Sequence, residues 1–352
     1  MSEKPEEMPD KATDEALVTF ALLAYNQEEY IREAVEGAFA QTYSPLEIIL
    51  SDDCSSDKTY EIMQAMAVAY KGSHNVSVRK TKRNSGVFNH FMEVCKIARG
   101  KIFVVAAGDD ISIPERTVRL VQSLKSNIAC AAAYSITEQI DEKGANLGCF
   151  SPPERESRDF VQGGMLHLLG CSAAYITQHL TNIAPFKSKA IAEDAFMSHV
   201  LQLAGFGVCR VDRPLVRYRV SQNNLSILRT HNSGFQAHLE LEDRKIRRLV
   251  LNANTYAAIA THGPQLAARL VQETRPLKVA AIQKYIAKLR VMVDFYEMSF
   301  PMRVVQIFSL RHDLEAVRFL LPRMFGRRVF YMLFRAFSEA AFNISKKISG
   351  YR

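Results

Sequence analysis

The chain has 352 residues, 48% of them hydrophobic, which suits one large domain or two ordinary ones with a substantial core. No run of about 18 uncharged apolar residues occurs, which argues against a membrane-spanning helix, and the polar, acidic N-terminus argues against a secretory signal. The net charge is +8, which bears on partners and not on fold. The six cysteines are scattered without a C-x-x-C pair, which predicts reduced thiols and argues against a disulfide framework or a zinc site.

The charged composition of residues 1–15 predicts a disordered leader. From there to about residue 110, the chain alternates between apolar runs of strand length and stretches with helical spacing. Strands are predicted at 16–24, 46–50, 76–79 and 102–106, and helices at 28–42, 58–70 and 88–98. This alternation predicts an α/β fold with parallel strands and right-handed crossovers.

The pattern is more mixed between residues 111 and 227, and purely helical afterwards. The predicted elements are a helix at 114–126, a strand at 128–140, a hairpin strand at 145–150, a loop at 151–159, a helix at 160–169, a strand at 172–177, a helix at 191–204, and strands at 205–211 and 214–220. Helices follow at 234–261, 264–273, 277–298, 302–309 and 314–347, with breaks at Gly263-Pro264 and Gly326. The domains are therefore predicted at 16–227 and 228–352.

Polar residues follow three of the predicted parallel strands, as Tyr25-Asn26, Asp52-Asp53 and Asp109-Asp110. The carboxyl ends of parallel strands share one edge of the sheet, so these side chains are predicted to meet in one crevice. Two adjacent acids such as Asp109 and Asp110 repel each other unless a positive group lies beside them. A divalent cation is one such group, and the alternative is a solvated turn in which Asp caps the helix after Pro114.

Five motifs in this order resemble the family 2 glycosyltransferases over about residues 16–227. They are the 24–30 segment with Ala34 and Gln41-Thr42, the 47–59 segment, Asn84-Ser85-Gly86, Gly108-Asp109-Asp110 with Pro114, and Glu193-Asp194 followed by Gly205, 211–212, 214–215 and 217–219. The resemblance implies a GT-A fold, a Rossmann-like mixed sheet flanked by helices, followed here by an all-helical C-terminal region. It also implies inverting transfer of a sugar from a nucleotide-diphosphate sugar.

The resemblance assigns roles to particular residues. Asp194, with Glu193 beside it, becomes the candidate general base, and Asp110 with Asp109 the candidate ligands of Mn²⁺ or Mg²⁺. The nucleotide-sugar contacts are Tyr25, Asn26, Glu28, Asp52, Asp53, Asn84, Gly86, Asp109, Arg217 and Arg219. The alternatives are capping roles for Asp52 and Asp53, and a merely favourable helix start for Glu193-Asp194.

Two positions depart from the family pattern. The fullest form of the metal motif carries an Asp where this chain has Ala107, and relatives often carry His near the position of Ser221. Both departures remove a side chain that could help to bind the metal, so Asp110 is expected to be the main protein ligand. They also favour the second hypothesis, a catalytically silent nucleotide-sugar-binding or scaffolding protein. A third hypothesis, a phosphatase with Asp109 as nucleophile, explains neither the 25–26 opening nor Glu193-Asp194.

The last 52 residues hold ten Lys and Arg against three Asp and Glu, a difference of +7. Their aromatic, basic stretch at 314–347 suits an anionic membrane surface; the alternative is a helical subdomain that packs on the core or on a second subunit. No nucleic-acid-binding module accompanies the charge, so nucleic acid is not expected as a partner. The predicted enzyme is cytoplasmic, peripheral on the inner face of the membrane, and uses a UDP- or dTDP-sugar and a saccharide or lipid-linked acceptor in bacterial surface polysaccharide synthesis.

Overall fold

The computed structural model describes residues 15–150, 168–183, 191–221, 235–326 and 332. The predicted leader at 1–15, except its last residue, lies outside the described residues, and so does the whole loop at 151–159. The same holds for most of the predicted helix at 160–169 and for the end of the predicted helix at 314–347.

The first third of the chain forms the parallel part of the sheet that the sequence predicts. Its strands are β1 (Val18–Ala24), β2 (Leu46–Asp52), β3 (Asn75–Lys80) and β4 (Ile102–Ala107), connected by helices α1 (Ile31–Phe39), α2 (Thr59–Ala69) and α3 (Val87–Ile97). The spatial order is β3-β2-β1-β4, and every neighbouring pair is parallel. Strands β1 and β2 are buried on both faces, because helices cover both sides of the sheet.

The second half of the sheet is mixed. It contains β5 (Ile111–Ser112), β6 (Cys130–Ile140), β7 (Asn146–Phe150), β8 (Ala173–Ile176) and β9 (Gly207–Arg219), with helices α4 (Arg116–Ser126), α5 (Thr177–Thr181) and α6 (Glu193–Leu203). Strand β8 runs antiparallel to both β4 and β6 and so joins the two halves, and β9 lies beside β6. The predicted α/β fold with a mixed sheet is confirmed, as is the hairpin partner β7.

The alternation of side chains along β1 divides the core into two layers. Phe20 and Leu22 pack toward α1 and the helices on that side, whereas Ala21 packs toward α3 and α6. Because both layers are apolar, the strands hold their register firmly, and the loops at their carboxyl ends have fixed starting points.

Strand β9 corrects the prediction of two strands at 205–211 and 214–220. It is continuous, and its register against β6 shifts where Ser135 pairs with Val211 and Ile136 pairs with Pro214. The two residues between, Asp212 and Arg213, are therefore extra on β9, as in a β-bulge. The polar pair before a proline mimics a turn in the sequence, which is why the strand looks divided.

The C-terminal region is helical, as predicted, and consists of α7 (Phe235–Ala267), α8 (Val279–Asp294), α9 (Phe300–Ser309) and α10 (Leu314–Leu320). The predicted break at Gly263-Pro264 is wrong, because α7 continues through Pro264, whose carbonyl accepts a hydrogen bond from Ala268. A Cβ added to Gly263 would come within 3.2 Å of the Leu203 side chain, so glycine lets α7 lie close to α6. Gly326 has a φ of +94°, which fits the predicted stop there.

One cysteine pair corrects the prediction of reduced thiols. Cys130 on β6 and Cys209 on β9 form a disulfide, while Cys54, Cys95, Cys149 and Cys171 are free. The two partners are 79 residues apart in the chain, so spacing gave no signal, and only the pairing of β6 with β9 brings them together. In the part of the chain that the structure describes, no helix combines the length and hydropathy needed to cross a membrane.

Candidate functional site

The loops after β1 and β2 are fastened to each other by side chains that the sequence assigned to ligand binding. Asn26 Oδ1 accepts the backbone N–H of Ser56 at 2.9 Å, and Glu28 Oε2 accepts that of Lys58 at 2.9 Å. Asn26 also has a left-handed φ of 50°, a conformation that Asn tolerates better than most residues. In this structure Asn26 and Glu28 therefore shape the rim of the crevice by holding the two loops together.

Tyr25 lies on the rim that this clasp fixes, and its side chain is 45% exposed. A large aromatic ring held on a rigid loop offers a flat face for a planar ligand such as a nucleotide base. The predicted stacking role of Tyr25 thus has the exposure that it requires.

Replacing Tyr25 with Ala is expected to raise the donor KM about tenfold with little change in kcat, because base–aromatic stacking contributes roughly 1–3 kcal/mol per base. The measurement is initial transfer rate against donor concentration. Tyr25→Phe keeps the ring and serves as the control, with a KM near that of the wild type. An unchanged KM in the Ala variant would place the base elsewhere.

Asp53 is the centre of a hydrogen-bond cluster that draws the 84–86 loop over the end of β2. Its carboxylate accepts the backbone N–H groups of Ser85 at 3.0 Å and of Gly86 at 2.9 Å, and the hydroxyl of Thr81 at 3.0 Å. Asn84 Oδ1 also accepts the Gly86 N–H, at 2.9 Å, and Gly86 has a φ of +80° that favours glycine. The structure thus brings Asp53, Asn84 and Gly86 together, with Asp53 positioning the loop.

Asp52 is placed differently from its neighbour. It is fully buried, accepts the Ser55 N–H at 2.9 Å, and lies 3.9 Å from the ammonium group of Lys80. These contacts match the alternative that the sequence left open, a cap for the turn before α2. Its carboxylate is therefore part of the scaffold beneath the crevice.

The adjacent acids at the end of β4 do not share one environment. Asp110 is 3% exposed, and its Oδ1 accepts the backbone N–H of Arg219 at 2.9 Å. Its Oδ2 is buried without a hydrogen-bond partner among the described residues. Burial, and next the charge of Asp109, raise the pKa of Asp110 well above its ordinary value. Burial also raises the pKa of Asp109, while a hydrogen bond from Gln27 opposes the rise.

The Arg219 guanidinium is engaged in the floor of the site and does not face an open crevice. It pairs with Glu33 at 2.8 Å, donates to the Asp109 carbonyl at 3.0 Å, and lies 4.6 Å from the Tyr30 ring centroid. Further bonds reach the carbonyls of residues 141 and 142. Arg217 has a half-exposed side chain that pairs with Glu138 at 3.3 Å. Of the two arginines predicted to contact the nucleotide sugar, Arg217 is the one that can reach a ligand by exchanging a surface ion pair.

Arg116 is a site residue that the sequence reasoning missed. It is fully buried at the start of α4, donates to Ser112 Oγ at 2.8 Å, and also donates to the Val105 carbonyl. Burial lowers its pKa to about 10, and the nearby carboxyl of Asp110 opposes that change. Arg116 is therefore a fixed cation behind the acid pair. The available signal was its position two residues after Pro114 in the motif.

The distal acids lie at the N-terminus of α6, as predicted. Asp194 Oδ2 accepts the Gly170 N–H at 3.2 Å, and Oδ1 accepts the Ala195 N–H at 2.7 Å. A Cβ on Gly170 would lie 2.9 Å from Glu193 Oε1 and 3.0 Å from the Asp194 Cβ, so a side chain there would displace both acids. Glycine at this position is therefore a packing requirement.

Cys171 lies between the two acid pairs. Burial raises the pKa of its thiol, and the charges of Asp110, Asp109 and Asp194 all act in the same direction. Charges act strongly only over short distances, so all three carboxylates can affect the pKa of the thiol only if it is close to both acid pairs. The short 3₁₀ turn at Gly170–Ser172 thus lies between the end of β4 and the start of α6, with Gly170 in contact with Asp194 and Glu193.

Burial, and next the charge of Asp194, raise the pKa of Glu193 to about 8. A carboxyl with a raised folded-state pKa stabilises the fold fully below its unfolded pKa and loses that contribution as the pH rises through the folded value. We therefore expect the melting temperature to fall between about pH 5 and pH 8, and to fall less in Glu193→Gln, which keeps the uncharged shape. Melting curves across this range test it, and parallel curves for both proteins would contradict it.

The side chains that could bind a metal fit a hard cation only in part. Asp110 Oδ2, buried and lacking a partner, is the oxygen that can serve as a ligand, and hard cations prefer such carboxylate oxygens. Within the described ranges no group of three His, Cys, Asp or Glu side chains is arranged to hold a metal. Any remaining ligands would have to come from a diphosphate and water. Ala107 and Ser221 provide neither a carboxylate nor an imidazole.

Comparison with known proteins gives a consistent result. The model of the family described as "Glycosyl transferase family 2" matches residues 19–181. An uncharacterized protein of Mycobacterium tuberculosis is 36% identical over 146 residues, which cover 41% of this chain and 41% of that protein. An uncharacterized glycosyltransferase of Haemophilus influenzae is 27% identical over 66% of this chain and 72% of its own length.

Among solved structures, mannosyltransferase PcManGT from Pyrobaculum calidifontis, in complex with GDP-Man and Mn²⁺, is similar with a TM-score of 0.52. The match covers 93% of this chain and 88% of that one at 14% identity, so it bears on the fold alone. The chain spans less than half of the length of the mycobacterial relative.

Proposed function

We propose that this chain, whose residues 19–181 match the model of glycosyl transferase family 2, is a glycosyltransferase that transfers a sugar with inversion from a nucleotide-diphosphate sugar to an acceptor hydroxyl. The observation that carries the proposal is the convergence of two acid pairs, Asp109-Asp110 and Glu193-Asp194, around Cys171. In-line displacement at a sugar carbon needs charge neutralisation on the leaving side and a proton acceptor on the attacking side. Two separate carboxylate pairs in one crevice suit that division.

On the leaving side, Asp110 is proposed to hold Mn²⁺ or Mg²⁺ through Oδ2, with Asp109 directed to the ribose or sugar. The cation, when bound, supplies Lewis-acid stabilisation of the negative charge that develops on the nucleoside diphosphate. The Arg219 N–H fixes the Asp110 carboxyl before any ligand arrives, and the buried Arg116 adds a positive charge nearby, so the carboxyl needs little rearrangement. Arg217 is proposed to approach the phosphates from the surface.

On the attacking side, Asp194 is proposed to accept the proton of the acceptor hydroxyl. Its two backbone hydrogen bonds, from Gly170 and Ala195, fix its position while leaving lone pairs for a third partner. Glu193, with a pKa near 8, holds a proton at neutral pH, so it serves to orient its neighbour without competing for the same proton.

On the donor's nucleoside end, Tyr25 is proposed to stack on the base, and Asp53 to accept a ring N–H besides the loop donors that it already holds. A UDP- or dTDP-sugar is the proposed donor, and a saccharide or lipid-linked acceptor in surface polysaccharide synthesis the proposed acceptor. The alternative, a catalytically silent nucleotide-sugar-binding protein, is favoured by Ala107 and Ser221.

A thermal-shift panel of nucleotides and nucleotide sugars, with and without Mn²⁺, tests the donor assignment. A ligand that binds only the folded state raises the melting temperature by mass action, so the best donor should give the largest shift. Transfer assays with the best donor and a pool of saccharide and lipid-linked acceptors follow. A metal-dependent shift accompanied by transfer supports the enzyme, whereas no shift with any nucleotide would reject the proposal.

A further inference from the structure

Helix α9 and the turn after α10 form an exposed apolar surface, far along the chain from the acid pairs. The α9 surface is defined by six side chains that are 47–65% exposed. They are Phe300, Met302, Val305, Phe308, Leu321 and Phe325. A soluble chain normally scatters such residues singly, and a contiguous group marks a binding surface.

The group is contiguous for two reasons. Met302, Val305 and Phe308 recur every three residues and so lie along one side of α9. The rings of Phe300 and Phe325 lie 5.7 Å apart, which joins α9 to the turn after α10, where Leu321 precedes Phe325 by four residues. The opposite side of the region is anchored by Arg323, which is buried and pairs with Glu242 at 2.6 Å. The apolar side chains therefore belong to a structure that is held in place from behind.

Two exposed arginines lie near the α9 surface. Arg311 and Arg318 are exposed, and among the residues that the structure describes no carboxylate pairs with either of them or with Arg303. The acids on this stretch, Asp313 and Glu315, are both held by Lys288, at 2.8 and 2.9 Å. Arg311 and Arg318 thus remain available for an anionic partner, whereas the Arg303 guanidinium is already held by four backbone carbonyls.

We propose that the α9 surface binds an anionic lipid bilayer, with the apolar side chains entering the interface and Arg311 and Arg318 near the headgroups. An apolar face combined with basic side chains binds such interfaces through burial of apolar area and through attraction to the anionic headgroups. A second copy would place like charges opposite each other, which costs free energy. The sequence at 327–352 carries six Lys and Arg against one Glu, so it too would be repelled by the arginines and attracted by the same bilayer.

The inference goes beyond the proposed function and does not depend on it, because vesicle binding is measured without donor or acceptor. The full chain is mixed with vesicles of phosphatidylglycerol and phosphatidylcholine, or of phosphatidylcholine alone, and the pelleted fraction is measured. We expect binding to the anionic vesicles only. Phe308→Asp should weaken it about tenfold or more, because it puts a charge at the apolar centre, and Arg311→Glu with Arg318→Glu by about fivefold or more per site.

Matched controls separate the surface from general effects of charge. Ile128→Asp places the same charge at an exposed apolar position of the catalytic half, and Lys71→Glu with Lys96→Glu reverses two exposed cations there. Both should bind like the wild type. Equal binding by Phe308→Asp and the wild type would overturn the proposal, as would a dimer in light scattering that Phe308→Asp dissociates without any change in vesicle binding. Binding lost only on reversing Lys346 and Lys347 would assign it to the tail instead.

Discussion

Asp110→Asn is expected to reduce sugar transfer about a thousandfold, on the scale of the several kcal/mol by which a cation stabilises transition-state charge. The substitution keeps the shape of the carboxyl, and the amide oxygen can still accept the Arg219 N–H that holds Oδ1. It replaces Oδ2, the buried oxygen without a partner, by an N–H₂ group that cannot bind a cation. The measurement is the transfer rate as a function of Mn²⁺ concentration.

The control for Asp110→Asn is Glu115→Gln, which removes an exposed carboxylate from the start of α4, five residues away. It should follow the wild-type Mn²⁺ titration. A second readout is the thermal shift produced by the donor, which in Asp110→Asn should no longer increase when Mn²⁺ is added. Equal turnover by wild type and Asp110→Asn would remove Asp110 from the metal assignment and favour charge neutralisation by Arg217.

The sequence was informative about the crevice because the physics there is local. A buried parallel strand needs an unbroken apolar run, and a polar residue after it must lie at the carboxyl edge of the sheet. The positions of Asp53, Asp110 and Tyr25 at that edge followed from this rule alone. Roles within the crevice depend on contacts between distant segments. Asp52 and Asp53 look equivalent in the chain, yet Asp52 caps a turn and Asp53 holds the 84–86 loop.

Long-range pairings account for what the sequence could not supply. Arg219 was predicted to contact the nucleotide sugar, and its guanidinium meets Glu33 from a segment 186 residues earlier. The disulfide between Cys130 and Cys209, and the bulge that makes β9 one strand, both depend on the register of β6 against β9. Periodicity reports which face of an element is buried and carries no information on its neighbour in the sheet. A helix through Pro264 likewise reflects packing that local propensity does not encode.

Asp194→Asn is expected to lower kcat by about 10²- to 10⁴-fold, the usual contribution of a positioned general base, and to leave the donor KM nearly unchanged. The amide oxygen can still accept the Gly170 N–H that holds Oδ2 at 3.2 Å, so the fold and the Gly170–Ser172 turn should persist. Only the capacity to take a proton is lost. The measurement is transfer at saturating donor, alongside donor binding followed by thermal shift.

The matched control is Asp212→Asn, which removes an exposed carboxylate from the bulge of β9 and should retain wild-type transfer. Glu193→Gln distinguishes the two acids at the start of α6, because at neutral pH Glu193 already carries a proton. It should therefore keep most of the activity at pH 7, and should differ from the wild type mainly above pH 8, where Glu193 loses that proton. Full transfer by Asp194→Asn with intact donor binding would rule out Asp194 as the base. A loss in Glu193→Gln as large as that in Asp194→Asn would instead mean that proton transfer needs both acids together.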